Sequence, residues 1–255
     1  MVRGFNVWVI GTAGSGKTHL TNALRDYLLT QEITIATVNL DPAVKNIPYG
    51  ADIDIRDSID IDEITERFNL GPNGAMIAAT ELVVGHMEEI IEDLKDINPD
   101  VTLIDTPGQL EIFAYRAAGP LVARFFSPDN TITLFLFDSA LVNNPVGYIS
   151  IALLETSTQL RLKFPMIGIL TKSDLLSTED VQKIVDWSDM PETLQGSLEE
   201  EQGMIRELAL SLVPALDDLG ISSILTPVSS LTSDGIPELA SRLSVIGTRG
   251  EDWKI

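Results

Sequence analysis

Gly11-Thr12-Ala13-Gly14-Ser15-Gly16-Lys17-Thr18 follows the apolar run Phe5 to Ile10 and precedes a helical pattern. That order decides the fold, because a G-x-x-x-x-G-K-[ST] loop carries its chemistry only between a strand and a helix. Its glycines let backbone N–H groups converge on oxygen atoms with no Cβ between them, and the helix N-terminus adds partial positive charge. Gly11, Ala13, Gly14, Ser15 and Gly16 are therefore expected to cradle phosphates. Lys17 would reach the β and γ phosphates, and the Thr18 hydroxyl would bind magnesium.

Outward from this loop, short and nearly continuous apolar runs recur at Phe5 to Ile10, Ile33 to Leu40, Val101 to Ile104, Thr131 to Phe137, Met166 to Leu170 and Ile224 to Val228. Runs without alternation suit strands buried on both faces, and helical patterns lie between most of them. The expected fold is α/β: a doubly wound, mostly parallel sheet of the P-loop NTPase type with helical insertions. Residues 1–246 read as one domain, with insertions over about 41–100 and, as a lid, about 175–222, followed by a mobile tail over 247–255.

In the first insertion, Met76, Val83, Met87, Ile90, Leu94 and Ile97 fall at helical spacing just beyond the turn Gly71-Pro72-Asn73-Gly74. In the second, Ser197 and Glu200 form a capping-box pattern before Met204, Leu208 and Leu212. His19 and His86 lack metal-ligand spacing and read as structural or solvent-facing. The acidic stretch from Asp52 to Glu63 reads as a solvated face or a strip for a basic partner, since it lacks a calcium loop.

The chain has 255 residues, 17 Lys and Arg against 38 Asp and Glu, a formal charge of −21 and no cysteine. An apolar content of 44% excludes a disordered chain. Zero cysteines exclude a disulfide scaffold, a zinc-thiolate site and a cysteine nucleophile. The acidic balance repels phosphate backbones and anionic lipid, so neither nucleic acid nor membrane is an expected partner. A cytoplasmic location is compatible with all of this.

Val101-Thr102-Leu103-Ile104-Asp105 is an apolar strand ending in a carboxylate, the usual place for an acid that holds magnesium directly or through water. The chain continues Thr106-Pro107-Gly108-Gln109, in which the Gly108 N–H is placed to meet a γ-phosphate and Gln109 to orient the attacking water. Asp41 ends the second apolar run at the same edge. It either touches magnesium's water shell or the lytic water, or closes the strand in an Asp-Pro turn.

Thr171-Lys172-Ser173-Asp174 follows another strand, and a carboxylate there can accept both hydrogen bonds that guanine offers from N1–H and its amino group. Adenine offers neither pairing, so Asp174 favours GTP over ATP, with the Lys172 stem over the base plane. Val228, Ser229 and Ser230 end the last strand, where backbone N–H groups would meet the guanine carbonyl.

Together these motifs resemble the GPN-loop GTPases, whose naming tripeptide stands here as Gly71-Pro72-Asn73. The resemblance runs from the first loop to about Pro237 and implies GTP and GDP as ligands, Mg2+ as cofactor and a homodimer. It places Gly71 and Pro72 beside the partner's nucleotide and Asn73 nearest the γ-phosphate, whereas the residues alone allow Asn73 to cap its own helix. It likewise puts Asp41, Asp105, Gln109 and Glu111 around the lytic water, while Glu111 alone reads equally as a first-turn helix acid. Thr171 stands where Asn is usual in P-loop GTPases, which leaves open the anchor between base loop and phosphate loop. Partition-type ATPases would need a second lysine where Thr12 stands.

The function expected is therefore a magnesium-dependent, dimeric GTP-hydrolysing switch, with no arginine finger evident. The alternative is an assembly or chaperone-like factor in which nucleotide controls dimer and lid. The family's eukaryotic members imply a protein client such as RNA polymerase subunits. Leu175, Leu176, Val181, Ile184, Val185 and Trp187 would then line a peptide groove, or else pack the lid onto the sheet. A phosphotransferase is disfavoured because the Asp105 to Gln109 string serves hydrolysis.

Overall fold

The computed structural model describes residues 4–200, 202–218 and 224–247; the expected mobile tail lies outside them, apart from Gly247. Seven parallel strands form one sheet in the order β3-β2-β4-β1-β5-β6-β7. In chain order the elements are β1 (Phe5–Gly11), α1 (Lys17–Leu29), β2 (Ile35–Asn39), β3 (Ile53–Asp54), α2 (Ile61–Phe68), α3 (Pro72–Ile97), β4 (Val101–Asp105), α4 (Leu110–Phe113) and α5 (Ala118–Ala123). They continue with β5 (Thr131–Asp138), α6 (Pro145–Leu162), β6 (Met166–Thr171), α7 (Thr178–Asp189), α8 (Pro191–Ser197), α9 (Gly203–Asp218), β7 (Thr226–Val228) and α10 (Ile236–Gly247). The α/β class is as expected, and every strand pairing is parallel. The two-residue β3 is too short to leave a periodic signal in the sequence.

Alternation along the strands sends side chains to two cores. Val7 and Val9 of β1 join Leu20, Leu24 and Leu28 of α1 and Leu239 and Leu243 of α10 on one face. Trp8 and Ile10 point the other way, into a larger core with α3, α6, α7 and α9. There Trp8 meets Phe113, Phe126 and Phe164 at ring-centroid distances of 5.9, 5.3 and 5.3 Å. Because both faces are covered, the runs read as solid apolar blocks.

The long helix starts at Pro72, inside the Gly71-Pro72-Asn73 turn rather than beyond it. Gly71 is its N-cap, and Pro72 fits the first turn because no N–H is needed there. Its buried stripe is Ala75, Ala79, Thr80, Val83, Met87, Ile90, Ile91 and Leu94, while Met76 is half-buried and Ile97 exposed. The two alanines are uninformative in a hydrophobic pattern, yet both are buried. The acidic stretch is not simply solvated: Asp52 accepts from the Thr37 N–H and hydroxyl, Asp54 pairs with Arg56, and Asp60 caps α2 through the Asp62 and Glu63 N–H groups.

Ser197 is not a helix cap. It ends α8, where its hydroxyl accepts from Trp187 Nε1 at 2.8 Å and donates to the Thr193 carbonyl, and α9 starts at Gly203. Ile184 and Trp187 are buried, with Trp187 beside Tyr148 of α6, so they pack α7 down rather than line an open groove. Among the described residues no helix is long and apolar enough to cross a membrane.

Two stability predictions follow from this packing. Met87→Ala, at 0% exposure, is expected to cost about 2–5 kcal/mol in urea unfolding. Leu82→Ala, 49% exposed on the same helix, should cost under about 0.5 kcal/mol.

Glu155, on the buried side of α6, has no ion pair among the described residues, and burial pushes its carboxyl from 4.5 up to about 8. Between those values the native chain binds more protons than the unfolded one, so this group's contribution to stability falls as pH rises and levels off above about 8. Glu155→Gln should therefore gain on the wild type across that window. A stability difference that does not change with pH would contradict the burial of the charge.

Candidate nucleotide site

The phosphate loop leaves β1 at the centre of the sheet, where strand order reverses and open α/β sheets hold ligands at their carboxyl edge. Gly11 lies so close to β5 that a Cβ would come within 2.8 Å of the Leu136 Cβ. Gly16, at φ 98, is the left-handed N-cap of α1, a conformation that costs a side-chain-bearing residue. Ala13 and Gly14 are exposed, and the Ser15 N–H donates to the Thr12 carbonyl.

Lys17 is 5% exposed, and its ammonium donates to three carbonyls: Gly11 at 3.0 Å, Thr12 at 2.9 Å and Gly108 at 3.0 Å. Burial lowers its pKa, against the opposing charges of Asp105, Asp41 and Glu111. Gly108 is held from both sides, because its N–H donates to Asp41 Oδ2 at 2.8 Å. The other oxygen of Asp41 accepts from the Ala43 N–H, so the Asp-Pro turn exists and also reaches the site.

Asp105 ends β4 at 1% exposure. Its Oδ2 accepts from the Tyr49 hydroxyl at 2.9 Å, whereas Oδ1 is buried without a hydrogen-bond partner among the described residues. Burial pushes this carboxyl up to about 6, opposed by the Thr18 and Tyr49 hydroxyls and the Lys17 charge, with Asp41 adding to the rise. A divalent cation fits here: the orphaned oxygen and the Thr18 hydroxyl supply hard donors, and positive charge would keep the carboxylate ionised. Among the described residues no three acidic or imidazole side chains converge to hold a metal by themselves.

Tyr49 is 4% exposed and carries no motif, so the sequence reading missed it. So too with Asn39, buried at the end of β2. Its Oδ1 accepts from the Asp41 N–H at 3.0 Å and its amide donates to Asp54 at 2.9 Å, fixing where the turn sends Asp41. Gln109 caps α4 without a side-chain bond, and Glu111 is exposed in the first turn of that helix.

A cleft of about 310 Å³ adjoins the loop, lined by Gly14, Ser15, Gly16, His19, Thr171, Lys172, Asp174, Leu175, Ser230 and Leu231. Asp174 is exposed and makes no hydrogen bond among the described residues. The Thr171 hydroxyl donates to the Ser15 carbonyl at 2.9 Å, so threonine does supply a side-chain tie between base loop and phosphate loop. The Lys172 ammonium is held by Asp138 at 2.7 Å.

Val228 and Ser229 are buried behind the cleft, and the Ser229 N–H is already donated to the Asp234 carbonyl, which leaves Ser230 at the lining. His19 and Leu231 line the cleft without having been singled out for it. Gly71, Pro72 and Asn73 are exposed, and no hydrogen bond among the described residues joins Asn73 to this site. Since Gly71 is the N-cap, Asn73 does not cap its own helix.

Fold and site define a P-loop nucleotide-binding protein. A family model described as "conserved hypothetical ATP binding protein" matches residues 9–248. GPN-loop GTPase 1 of Saccharomyces cerevisiae is 32% identical over 243 residues, 90% of this chain and 62% of that protein. GPN-loop GTPase 3 of Eremothecium gossypii is 27% identical over 251 residues, covering 96% and 92%. A GTPase from Pyrococcus abyssi, solved in its apo form, superposes with a TM-score of 0.83 at 28% identity over 94% of this chain and 96% of that one. The chain belongs to the GPN-loop GTPase family. It spans less than two thirds of the length of the GPN-loop GTPase 1 relatives it matches.

Tyr49→Phe removes the donor from a buried carboxylate oxygen and is expected to cost about 1–3 kcal/mol in urea unfolding of the nucleotide-free protein. An unchanged midpoint would mean that the Tyr49 hydroxyl does not support Asp105.

Proposed function

We propose that the chain binds GTP with magnesium and hydrolyses it to GDP and phosphate, acting as a homodimeric switch. The observation that carries this reading is Gly108, bonded through its carbonyl to Lys17 and through its N–H to Asp41. A γ-phosphate competes for both partners: its oxygens take the Lys17 ammonium and the Gly108 N–H, and Asp41 Oδ2 is released to accept a hydrogen bond from water. GDP lacks the atoms to do this, so the Asp105 to Gln109 segment would differ between the two nucleotides.

Hydrolysis then needs a water held in line with the bond from γ-phosphorus to its leaving oxygen. Asp41 and Gln109 are the groups we assign to that approach, with Glu111 two residues beyond Gln109. Lys17 offsets negative charge on the transferring group. Thr18 and Asp105, with Asp41 through water, would hold magnesium, which supplies positive charge to the phosphate oxygens.

The family model is described as ATP-binding and the relatives are named GTPases. The free carboxylate of Asp174 in the cleft favours guanine, since it can pair with N1–H and the amino group together. The exposed Gly71-Pro72-Asn73 turn supports the dimer: Asn73 has no bond into its own site among the described residues and would reach a partner's γ-phosphate. On the family resemblance we extend the proposal to a cytoplasmic location and to a protein client such as an RNA polymerase subunit. The second reading, a nucleotide-controlled assembly factor, draws on Met204, Ile205 and Leu208, which are 83%, 59% and 60% exposed on α9.

Phosphate release with magnesium should occur from GTP and not ATP, be abolished in Asp105→Ala, and rise per subunit as concentration passes a dimerisation midpoint. Asp174→Asn should reduce the preference for GTP about 10- to 100-fold. Equal release from ATP in the wild type overturns the guanine assignment. Guanine-selective binding without release moves the weight to the assembly factor.

A further inference from the structure

The amino edge of the sheet, opposite the phosphate loop, carries a second groove, of about 360 Å³. It is lined by the end of α5, the entry to β5 and the turn between α6 and β6, and it brings together Arg124, Arg161 and Lys163. On a chain with 38 acidic and 17 basic residues, a lining that holds three cations and no acid among the described residues stands against the bulk charge. None of the three is in an ion pair among the described residues.

Their side chains are not equivalent. Arg161 is committed, donating to the carbonyls of Ala114 at 2.6 Å and Tyr115 at 2.9 Å while its guanidinium lies over the Tyr115 ring. Arg124 and Lys163 are exposed and make no side-chain hydrogen bond among the described residues. Lys163 also caps α6 at φ 62, a left-handed position that glycine or asparagine fills at lower cost.

Beneath them Phe126 and Phe164, 5% and 2% exposed, are wedged against Trp8, giving the groove a rigid apolar floor with Pro120, Pro128 and Leu162. The buried rings offer no face on which a base could stack. Screening at about 0.1 M salt limits the repulsion from the remaining acids to about 10 Å, so a local cationic site can act on a short ligand.

We propose that this groove docks an acidic peptide segment of a partner protein, its carboxylates meeting Arg124 and Lys163 and an apolar side chain lying between them. The probe is a fluorescein-labelled peptide, Glu-Glu-Phe-Glu-Glu, titrated with the full chain and followed by anisotropy. Saturable binding is expected, weakened about tenfold or more by the double variant Arg124→Glu, Lys163→Glu and kept by Arg124→Lys, Lys163→Arg. GTP binding should be the same in all three proteins, which also shows that the variants fold. No saturable binding by the wild type, binding that charge reversal leaves unchanged, or tighter binding of a labelled oligothymidylate at the same residues would each overturn the proposal.

Discussion

A buried ammonium cannot be left without acceptors, and the carboxyl edge of this sheet is organised around that constraint at Lys17. Two of its three carbonyls come from the loop that precedes it and the third from Gly108, about ninety residues on. One side chain thus ties the end of β1 to the segment after β4. Because Gly108 is bonded to Asp41 as well, three strand ends share one set of hydrogen bonds. Any ligand that competes for the ammonium acts on all three at once.

Around Lys17 stands a shell of polar groups whose work is to hold carboxylates. Asn39 orients the turn that carries Asp41, and Tyr49 donates to Asp105. Asp54, despite burial that would raise it, has its pKa lowered by its hydrogen bonds with Arg56 and Asn39. The stretch from Asp41 to Asp60 therefore fastens the edge of the sheet, with only part of its charge facing water. Arg56, the one arginine of this stretch, is engaged with Asp54 and the Val44 and Lys45 carbonyls.

The cleft beside the phosphate loop is paired in the same way. Thr171 does with one hydroxyl what a longer amide would do, reaching the Ser15 carbonyl because β6 brings it close. Lys172 is drawn to Asp138 on the neighbouring strand, and Asp174 is left as the carboxylate of the cleft without a partner among the described residues. A group without a partner inside a well-paired surround is the one most available to a ligand.

The strands and the phosphate loop were legible in the sequence because their determinants are local: a run of apolar side chains, glycines where the backbone must turn, a lysine and a threonine at fixed offsets. The motifs at Asp105 to Gln109 and Thr171 to Asp174 were legible for the same reason, each ending a recognisable strand. Tyr49, Asn39 and the Thr171 tie were not, since a single tyrosine or asparagine has no periodicity and its partner lies far along the chain. The lid was misread at Ser197 because a capping pattern is satisfied equally by a serine that bonds a tryptophan from the preceding helix. Sequence alone thus determined the fold class and which polar residues stand at each strand end. Only the tertiary structure decided which of those groups are already paired and which stay open to a ligand, because pairing depends on distances that parallel strands set across the sheet.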